Sequence, residues 1–401
     1  MTLRFFLLLI FLYHAHMLSG QSTVGDGRFA VADAHAASIR RQYIFHPEVL
    51  AHKLTEGLHN DYDKARAIYT WIATNIDYDL TAFYNDLRSG QGTNEVLVSG
   101  KALCVGYSLL FDYFCQKSGL TSVIIDGYAK GYGYDKQQKF TMANHAWNAV
   151  NIYGTWYLLD VTWAAGDPFQ AGKIKQKTML DDFFLVAPEV LVRTHMPEDP
   201  TWQLLENKVS LEAFEKGATD NLSGFPPTDF SPKDYERLNE FDAEILKYKR
   251  SLNFNPKNYG LYQRLSFGYV YKAISITDGI HTLPMLDLLD TLGKIDTLFM
   301  SYLDSAKMTI AALEPWKIPN FNKIIADETN FQKGVFEYEM GTELFGKRKK
   351  EPQPGIAALT KTYYTLAATA FSKVSTNSIY HHSASEYLSN IREFLDRDRE
   401  E

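Results

Sequence analysis

Cys104, His145 and Asp160 are the residues of this chain whose types and order could do chemistry together. A cysteine thiolate is a strong nucleophile, and an imidazole can act as its base and then as the acid for a departing amine. A carboxylate can orient that imidazole and stabilise its charged form. Such a set would carry acyl transfer from a peptide or carboxamide through a thioester. Each residue alone has a blander reading: a lone cysteine is usually a small buried hydrophobe, and a lone strand histidine is usually packing.

The elements around the three residues decide between these readings. Tyr107, Leu110, Phe111 and Phe114 follow Cys104 at helical spacing, and Gly119 stands where a left-handed C-terminal cap belongs. Cys104 therefore falls in the first turn of a helix, where unpaired N–H groups and the positive dipole end favour a thiolate. Gly100 lets the chain enter that turn sharply, and Gly106 keeps it free of side-chain bulk. His145 opens an alternating run to Ile152, Tyr153-Gly154 reads as a turn, and Thr155 to Val161 alternates back, as in an antiparallel hairpin. If Tyr153 and Gly154 are the two loop residues, Asp160 stands opposite Trp147. His145 is then the diagonal neighbour of Asp160 on the same face, within reach of a ring side chain.

A helix-opening cysteine, a strand with His145-Ala-Trp-Asn and then Trp156-Tyr-Leu-Leu-Asp160-Val-Thr-Trp resembles the transglutaminase-like superfamily, a branch of papain-like cysteine chemistry. Upstream, Lys64-Ala-Arg-Ala-Ile-Tyr-Thr-Trp71 to Tyr78-Asp is similar to the helix that precedes the cysteine in that family. Downstream, Phe183-Phe-Leu-Val-Ala-Pro-Glu and Thr194-His-Met-Pro-Glu-Asp-Pro-Thr-Trp-Gln-Leu-Leu205 resemble the kyphoscoliosis-peptidase branch. The likeness covers residues 40–206. It implies an α+β fold, a cysteine-bearing helix packed on an antiparallel sheet that carries the histidine and aspartate. It also implies Cys104 as nucleophile, His145 as base and Asp160 as the orienting acid. Trp71, Tyr78, Trp147 and Trp163 are candidates to line a substrate site, although a tryptophan on an amphipathic helix such as Trp71 is more often core.

Length and composition bound the rest. A chain of 401 residues, 45% hydrophobic, is long enough for two or three packed domains. A net charge of −7 argues against nucleic acid or an anionic membrane as an electrostatic partner. Residues 1–20 hold an arginine, an apolar stretch Phe5 to Tyr13 and then small and polar residues, the pattern of a cleaved signal peptide and too short to span a bilayer. The protein is thus expected to be secreted or periplasmic, with no stable membrane span after processing. Cys104 and Cys115 lie 11 residues apart on one expected helix, about 16 Å along its axis. A disulfide needs Cα atoms within about 7 Å, so Cys104 should be a free thiol.

Residues 21–206 are read as the transglutaminase-like domain and 207–230 as a linker, because periodicity lapses and Asn221-Leu-Ser-Gly-Phe-Pro-Pro punctuates the chain. Residues 231–401 read as a helical domain for partners or packing. Helices are expected from Ser231-Pro232, from Asn255-Pro256, and over 283–313, 329–345, 356–371 and 383–395. Its entry is repeat-like, with no repeat at the roughly 34-residue period of helical arrays. Within the first domain, Asp61 is expected to cap a helix, 123–130 to form a strand, and 131–144 to be a loop that gates His145. His195, in a proline-flanked loop, is read as structural. HExxH, paired CxxC, P-loop and dinucleotide fingerprints are all absent, so neither a metal nor an organic cofactor is implied.

The reading that follows is an exported cysteine enzyme acting on a protein or peptide substrate, with hydrolysis by a peptidase or deamidase favoured. The alternatives are a cross-linking transglutaminase, in which a lysine amine replaces water, and a catalytically idle scaffold that binds partners through its helical domain.

Overall fold

The computed structural model describes residues 27–397, apart from 86, 88, 89, 138, 167–178, 219–231, 236, 277–284, 312–320, 349 and 351. The expected leader over residues 1–20 lies outside the described residues. The chain divides into two compact units, Met1–Ala129 with Asn144–His195, and Lys130–Ala143 with Met196–Glu401.

The first unit begins with three helices, α1 (Ala30–Ser38), α2 (Pro47–Thr55) and α3 (Asp61–Asn75). Asn60, rather than Asp61, caps α3: its Oδ1 accepts from the Asp63 N–H at 2.8 Å, and the acidic Asp61 and Asp63 then sit at the positive dipole end. Two short pieces follow, β1 (Asp77–Tyr78) and α4 (Leu80–Tyr84), and then α5 (Thr93–Ser99), β2 (Lys101–Ala102) and α6 (Cys104–Lys117). β1 and β2 pair in parallel, with Tyr78 beside Ala102. Gly100 ends α5 in the left-handed region at φ 68°, which turns the chain directly into β2 and α6.

The main sheet contains β3 (Thr121–Ala129), β4 (His145–Ile152), β5 (Thr155–Leu159) and β6 (His195–Pro197) in the order β5-β4-β3-β6. Ile152 pairs with Thr155, so Tyr153 and Gly154 form the two-residue turn that the sequence predicts. Both have positive φ, 52° and 85°, as a hairpin turn matched to strand twist requires. Tyr153 is an unusual residue there, and its ring has compensating contacts: it packs edge-on against Tyr62, and its hydroxyl accepts from the Asp61 N–H at 3.1 Å. After β5 the chain forms α7 (Val161–Ala164), and α8 (Pro188–Leu191) precedes β6. α6 packs on β3 and β4 over a core that includes Trp71, Tyr107, Phe111, Phe114, Val150 and Leu159.

The second unit is helical. The segment expected to be a linker over 207–230 holds α9 (Leu211–Lys216), with Ser210 accepting from the Ala213 N–H at its start and Gly217 at φ 72° at its end. Six residues are too few for a hydrophobic period to emerge, so only its caps betray it. The loop 131–144, read from the sequence as a gate, is fastened to α9 through Lys139 and Phe140, and Lys130 just ahead of it is fastened there too. Lys130 Nζ donates to Phe214 O at 2.6 Å, the Phe140 N–H donates to Glu215 Oε1 at 3.0 Å, and Lys139 pairs with Glu215.

Beyond residue 231 the structure has α10 (Pro232–Tyr235), α11 (Glu240–Phe254), α12 (Tyr259–Ser275), α13 (Met285–Ala311), α14 (Phe321–Arg348), α15 (Ile356–Phe371) and α16 (His381–Arg397). The helix expected from Ser231-Pro232 is a single turn. The long one starts after Asn239, whose Oδ1 accepts from the Asp242 N–H at 3.0 Å. Likewise the helix expected from Asn255-Pro256 starts after Asn258. Consecutive helices pack on one another around Val270, Leu288, Phe299 and Phe336, and around Tyr364, Phe371, Ala384 and Ile391. The observed class is therefore an antiparallel sheet with a cysteine-bearing helix, followed by a mostly helical C-terminal region. Among the described residues no helix is long and apolar enough to cross a membrane.

Candidate active site

Cys104 is the first residue of α6 and is half-buried. The N-cap residue, Leu103, offers no side-chain cap, so the N–H groups of the first turn point at the cysteine end without a side-chain acceptor of that kind. Instead the entry is fixed from behind. Gln91 Oε1 accepts from the Leu103 N–H at 2.7 Å, and Gly106 packs against the same amide.

His145 is the first residue of β4 and is held by Asn144. That side chain imitates a strand: its Oδ1 accepts from the Ala129 N–H at 2.7 Å and its Nδ2 donates to Ala129 O at 3.0 Å. The pairing clamps β4 to β3 at the point where the chain returns to the sheet, with His145 beside Gly127.

Asp160 ends the hairpin and is fully buried. Its Oδ1 caps α7 by accepting from the N–H groups of Thr162 at 2.7 Å and Trp163 at 3.0 Å. Its own N–H donates to Phe183 O at 2.9 Å. Its Oδ2 accepts from His145 Nε2 at 2.7 Å, the contact that the diagonal register predicts. With Nε2 committed, Nδ1 is the ring nitrogen of His145 left for Cys104.

The electrostatics agree with that layout. Burial pushes the Cys104 thiol up, but His145, by hydrogen bonding and by charge, and the Ala146 N–H outweigh burial, and the thiol lies below its ordinary pKa. Burial likewise opposes the charged form of His145, yet Asp160 and then Cys104 overcome it and hold the imidazolium. Burial would protonate Asp160, and His145 and His195 together keep it ionised, well below the usual carboxylate range. A thiolate and imidazolium beside a fixed carboxylate can open a carbonyl and protonate an amine. Cys115 differs: it is fully buried and its thiol is pushed well above its ordinary value by burial.

The other candidate residues divide. Trp147 and Trp163 bracket the imidazoles: Trp147 lies roughly parallel to His145 at 6.0 Å, and Trp163 is 5.8 Å from His145. Trp147 is 1% exposed, so it shapes the site from within, whereas Trp163 is half-buried. Tyr78 is half-buried, with its ring 6.0 Å from that of Phe83, and its strand pairs with β2 just ahead of Cys104. Trp71 is a correction. It has no exposed surface, lies against Phe114 in the core and donates Nε1–H to Ile39 O, because α3 is buried over most of its circumference.

His195 is a second correction. It is not in a loop but heads β6, and its Nε2 reaches the same Asp160 Oδ2 at 3.0 Å. Thr194 Oγ1 lies 2.8 Å from its Nδ1. The ligand atoms of His145, Asp160 and His195 fall within 4.8 Å of one another, a donor set of the kind that binds zinc. Both imidazoles, however, use those nitrogens as hydrogen-bond donors to one oxygen.

Comparison with known proteins bears on this segment. Residues 48–161 match the model of the transglutaminase-like superfamily. Over 168 residues the chain is 36% identical to the kyphoscoliosis peptidase of Mus musculus, covering 41% of this chain and 25% of that protein. The Homo sapiens kyphoscoliosis peptidase matches at 36% over 170 residues, again 41% of this chain and 25% of that protein. Hillarin of Drosophila melanogaster is 30% identical over 178 residues, 41% of this chain and 22% of that protein. A solved structure described as a TGase aligns at 19% identity with a TM-score of 0.24, over 42% of this chain and 40% of that one. Residues 48–161 are thus a segment similar to the transglutaminase-like superfamily. Within it, the chain is similar to the kyphoscoliosis-peptidase branch, while spanning about a quarter of the length of those relatives.

Proposed function

We propose that this chain is an exported cysteine hydrolase that cleaves peptide or carboxamide bonds through Cys104, His145 and Asp160. The observation that supports it most directly is the Cys104 thiol at a helix start, beside an imidazole held by a buried carboxylate. The thiolate adds to the carbonyl carbon, the C–N bond breaks, and the amine leaves with a proton from His145. His145 then takes a proton from water, whose oxygen attacks the thioester. The C–S bond breaks, releasing the acid and restoring the thiolate. The Cys104 N–H supplies one donor to the oxyanion. The helical unit would serve as a surface for a protein partner.

The test is to incubate wild type and Cys104→Ala with casein, with and without a fluorescent primary amine, and to read the products by mass spectrometry. Scission or deamidation by wild type alone supports the proposal. Amine incorporation without either would replace hydrolysis by cross-linking. No product, together with no covalent capture of Cys104 by a peptide electrophile, would leave an idle scaffold. Export is tested separately by intact mass: a mature protein that still starts at Met1 contradicts it.

A further inference from the structure

Asp160 Oδ2 serves two imidazoles, and only one of them faces the cysteine. An ionised carboxylate carries no proton, so each imidazole nitrogen that touches it must bring one. His145 and His195 therefore both donate from Nε2, at 2.7 and 3.0 Å. The geometry points to His195 as a positioning residue for the Cys104–His145 pair: it pins Asp160 Oδ2 so that the remaining nitrogen of His145 is aimed at the thiol. This inference rests on the triad reading given above and extends it to a fourth side chain.

The surroundings of His195 suit such a role. It is 1% exposed, lies 4.3 Å from the Trp163 ring and 5.1 Å from the Trp147 ring, and has no access to substrate. Burial disfavours its charged form, the attraction of Asp160 opposes that, and the net direction is a lowered pKa. A neutral ring with its proton on Nε2 leaves Nδ1 as an acceptor, and the Thr194 hydroxyl is placed to donate to it. Asp160, an acceptor only, thereby selects the tautomer of both rings, and the Thr194 hydroxyl, which also lies 3.4 Å from Leu191 O, supports that of His195 when it donates to Nδ1. Asp160 is left with four donors, two on each oxygen. Such a carboxylate is too well satisfied to accept a proton outright, so the charge stays on His145. Besides the two histidines, Cys104, Tyr69 and Tyr107 feel the Asp160 charge; the tyrosines are kept protonated chiefly by burial, and their hydroxyls donate to Leu180 O and Ile76 O.

The experiment measures the rate of Cys104 alkylation by iodoacetamide against pH in wild type, His195→Ala, His195→Gln and Asp160→Asn, with circular dichroism as the folding control. Removing the donor lets Asp160 turn or take up water, which weakens its hold on the imidazolium. His195→Ala should therefore slow alkylation at neutral pH by roughly 10- to 100-fold, by analogy with the loss when the hydrogen-bond partner of a metal-bound histidine is removed, and move the thiolate limb to higher pH. Gln keeps an N–H at similar reach and should restore the position of that limb. A folded His195→Ala protein with the wild-type profile overturns the inference. If Asp160→Asn also leaves the profile unchanged, the triad reading itself has failed; if only Asp160→Asn shifts it, the failure is confined to His195. Should His195→Ala not fold, Thr194→Val decides the matter: a smaller shift in the same direction is expected, and an unchanged profile overturns the inference.

Discussion

Gln91 holds the backbone of Leu103 one residue ahead of Cys104, with a 2.7 Å hydrogen bond from the Leu103 N–H to its Oε1. A Cβ on Gly106 would meet that same oxygen at 2.6 Å, Ala102 Cβ at 2.9 Å and Val96 Cγ2 at 3.0 Å. The entry to α6 is thus packed to contact on the side away from the thiol. Gly106→Ala should cost about 1–3 kcal/mol, as overpacking does, and should slow Cys104 alkylation by displacing the first turn. Urea unfolding and alkylation of the same samples measure both. An unchanged midpoint and rate would show that the turn has slack.

Two cysteines in unlike surroundings should be separable by reagent. Native protein is expected to take one equivalent of iodoacetamide at pH 6, at Cys104, and a second only in denaturant, when Cys115 leaves the core. Peptide mapping after labelling reads the sites. Native labelling at Cys115 would be incompatible with the assignment of the nucleophile.

Asp160→Asn should keep the fold, because an amide oxygen can still cap α7 where Oδ1 now accepts from Thr162 and Trp163. It loses the charge that sustains the His145 imidazolium. The equivalent change in a serine-protease triad lowers turnover by about 10⁴. A cysteine–histidine pair begins partly ionised, so a loss of roughly 10- to 1000-fold is expected here, with the thiolate forming at higher pH. Turnover, or capture by a peptide electrophile, measured across pH tests it. Full activity in the variant would reduce the site to a dyad.

The raised pKa of His145 also makes a stability prediction. Its imidazolium contributes fully below the ordinary histidine value of about 6.5, and that contribution is lost as pH climbs towards the raised value in the folded state. Cys104→Ala removes the opposing titration of the thiol. In that background stability should fall as pH rises above about 6.5, and the slope should flatten when Asp160→Asn is added. Equal slopes in the single and double variants, from urea midpoints between pH 6 and 9, would sever the link between His145 and Asp160.

Arg66 ties the site to its scaffold. Its Nε and Nη2 donate to Asp33 at 2.7 and 2.9 Å, and it also pairs with Asp181, at the start of the turn whose Phe183 O accepts from the Asp160 N–H. The guanidinium is buried while both carboxylates reach water. Arg66→Met should therefore cost about 3 kcal/mol, the low end for a broken buried pair. Denaturant unfolding gives the value, and a change below ~1 kcal/mol would mean that solvent already carries those carboxylates.

The sequence by itself determined the parts of the site that rest on local periodicity and turn chemistry. Tyr153-Gly154 reads as a two-residue turn between two alternating runs, and on that reading the register that brings His145 to Asp160 is written within sixteen consecutive residues. The apolar spacing after Cys104 likewise puts it at a helix start. Only the tertiary structure decided the rest. β6 is three residues long, too short for alternation to declare it, and His195 comes to Asp160 across a separation of 35 residues because that strand joins the sheet beside β3. Trp71 was legible as amphipathic but not as enclosed, since its burial depends on what packs against every side of α3. Gln91 gave no local sign at all, because its partner Leu103 is reached only when α5 and β2 fold back beside the helix start. Local chain chemistry sets short-range geometry, whereas a side chain that acts by filling a gap in another element's hydrogen bonding is defined only once the elements have met.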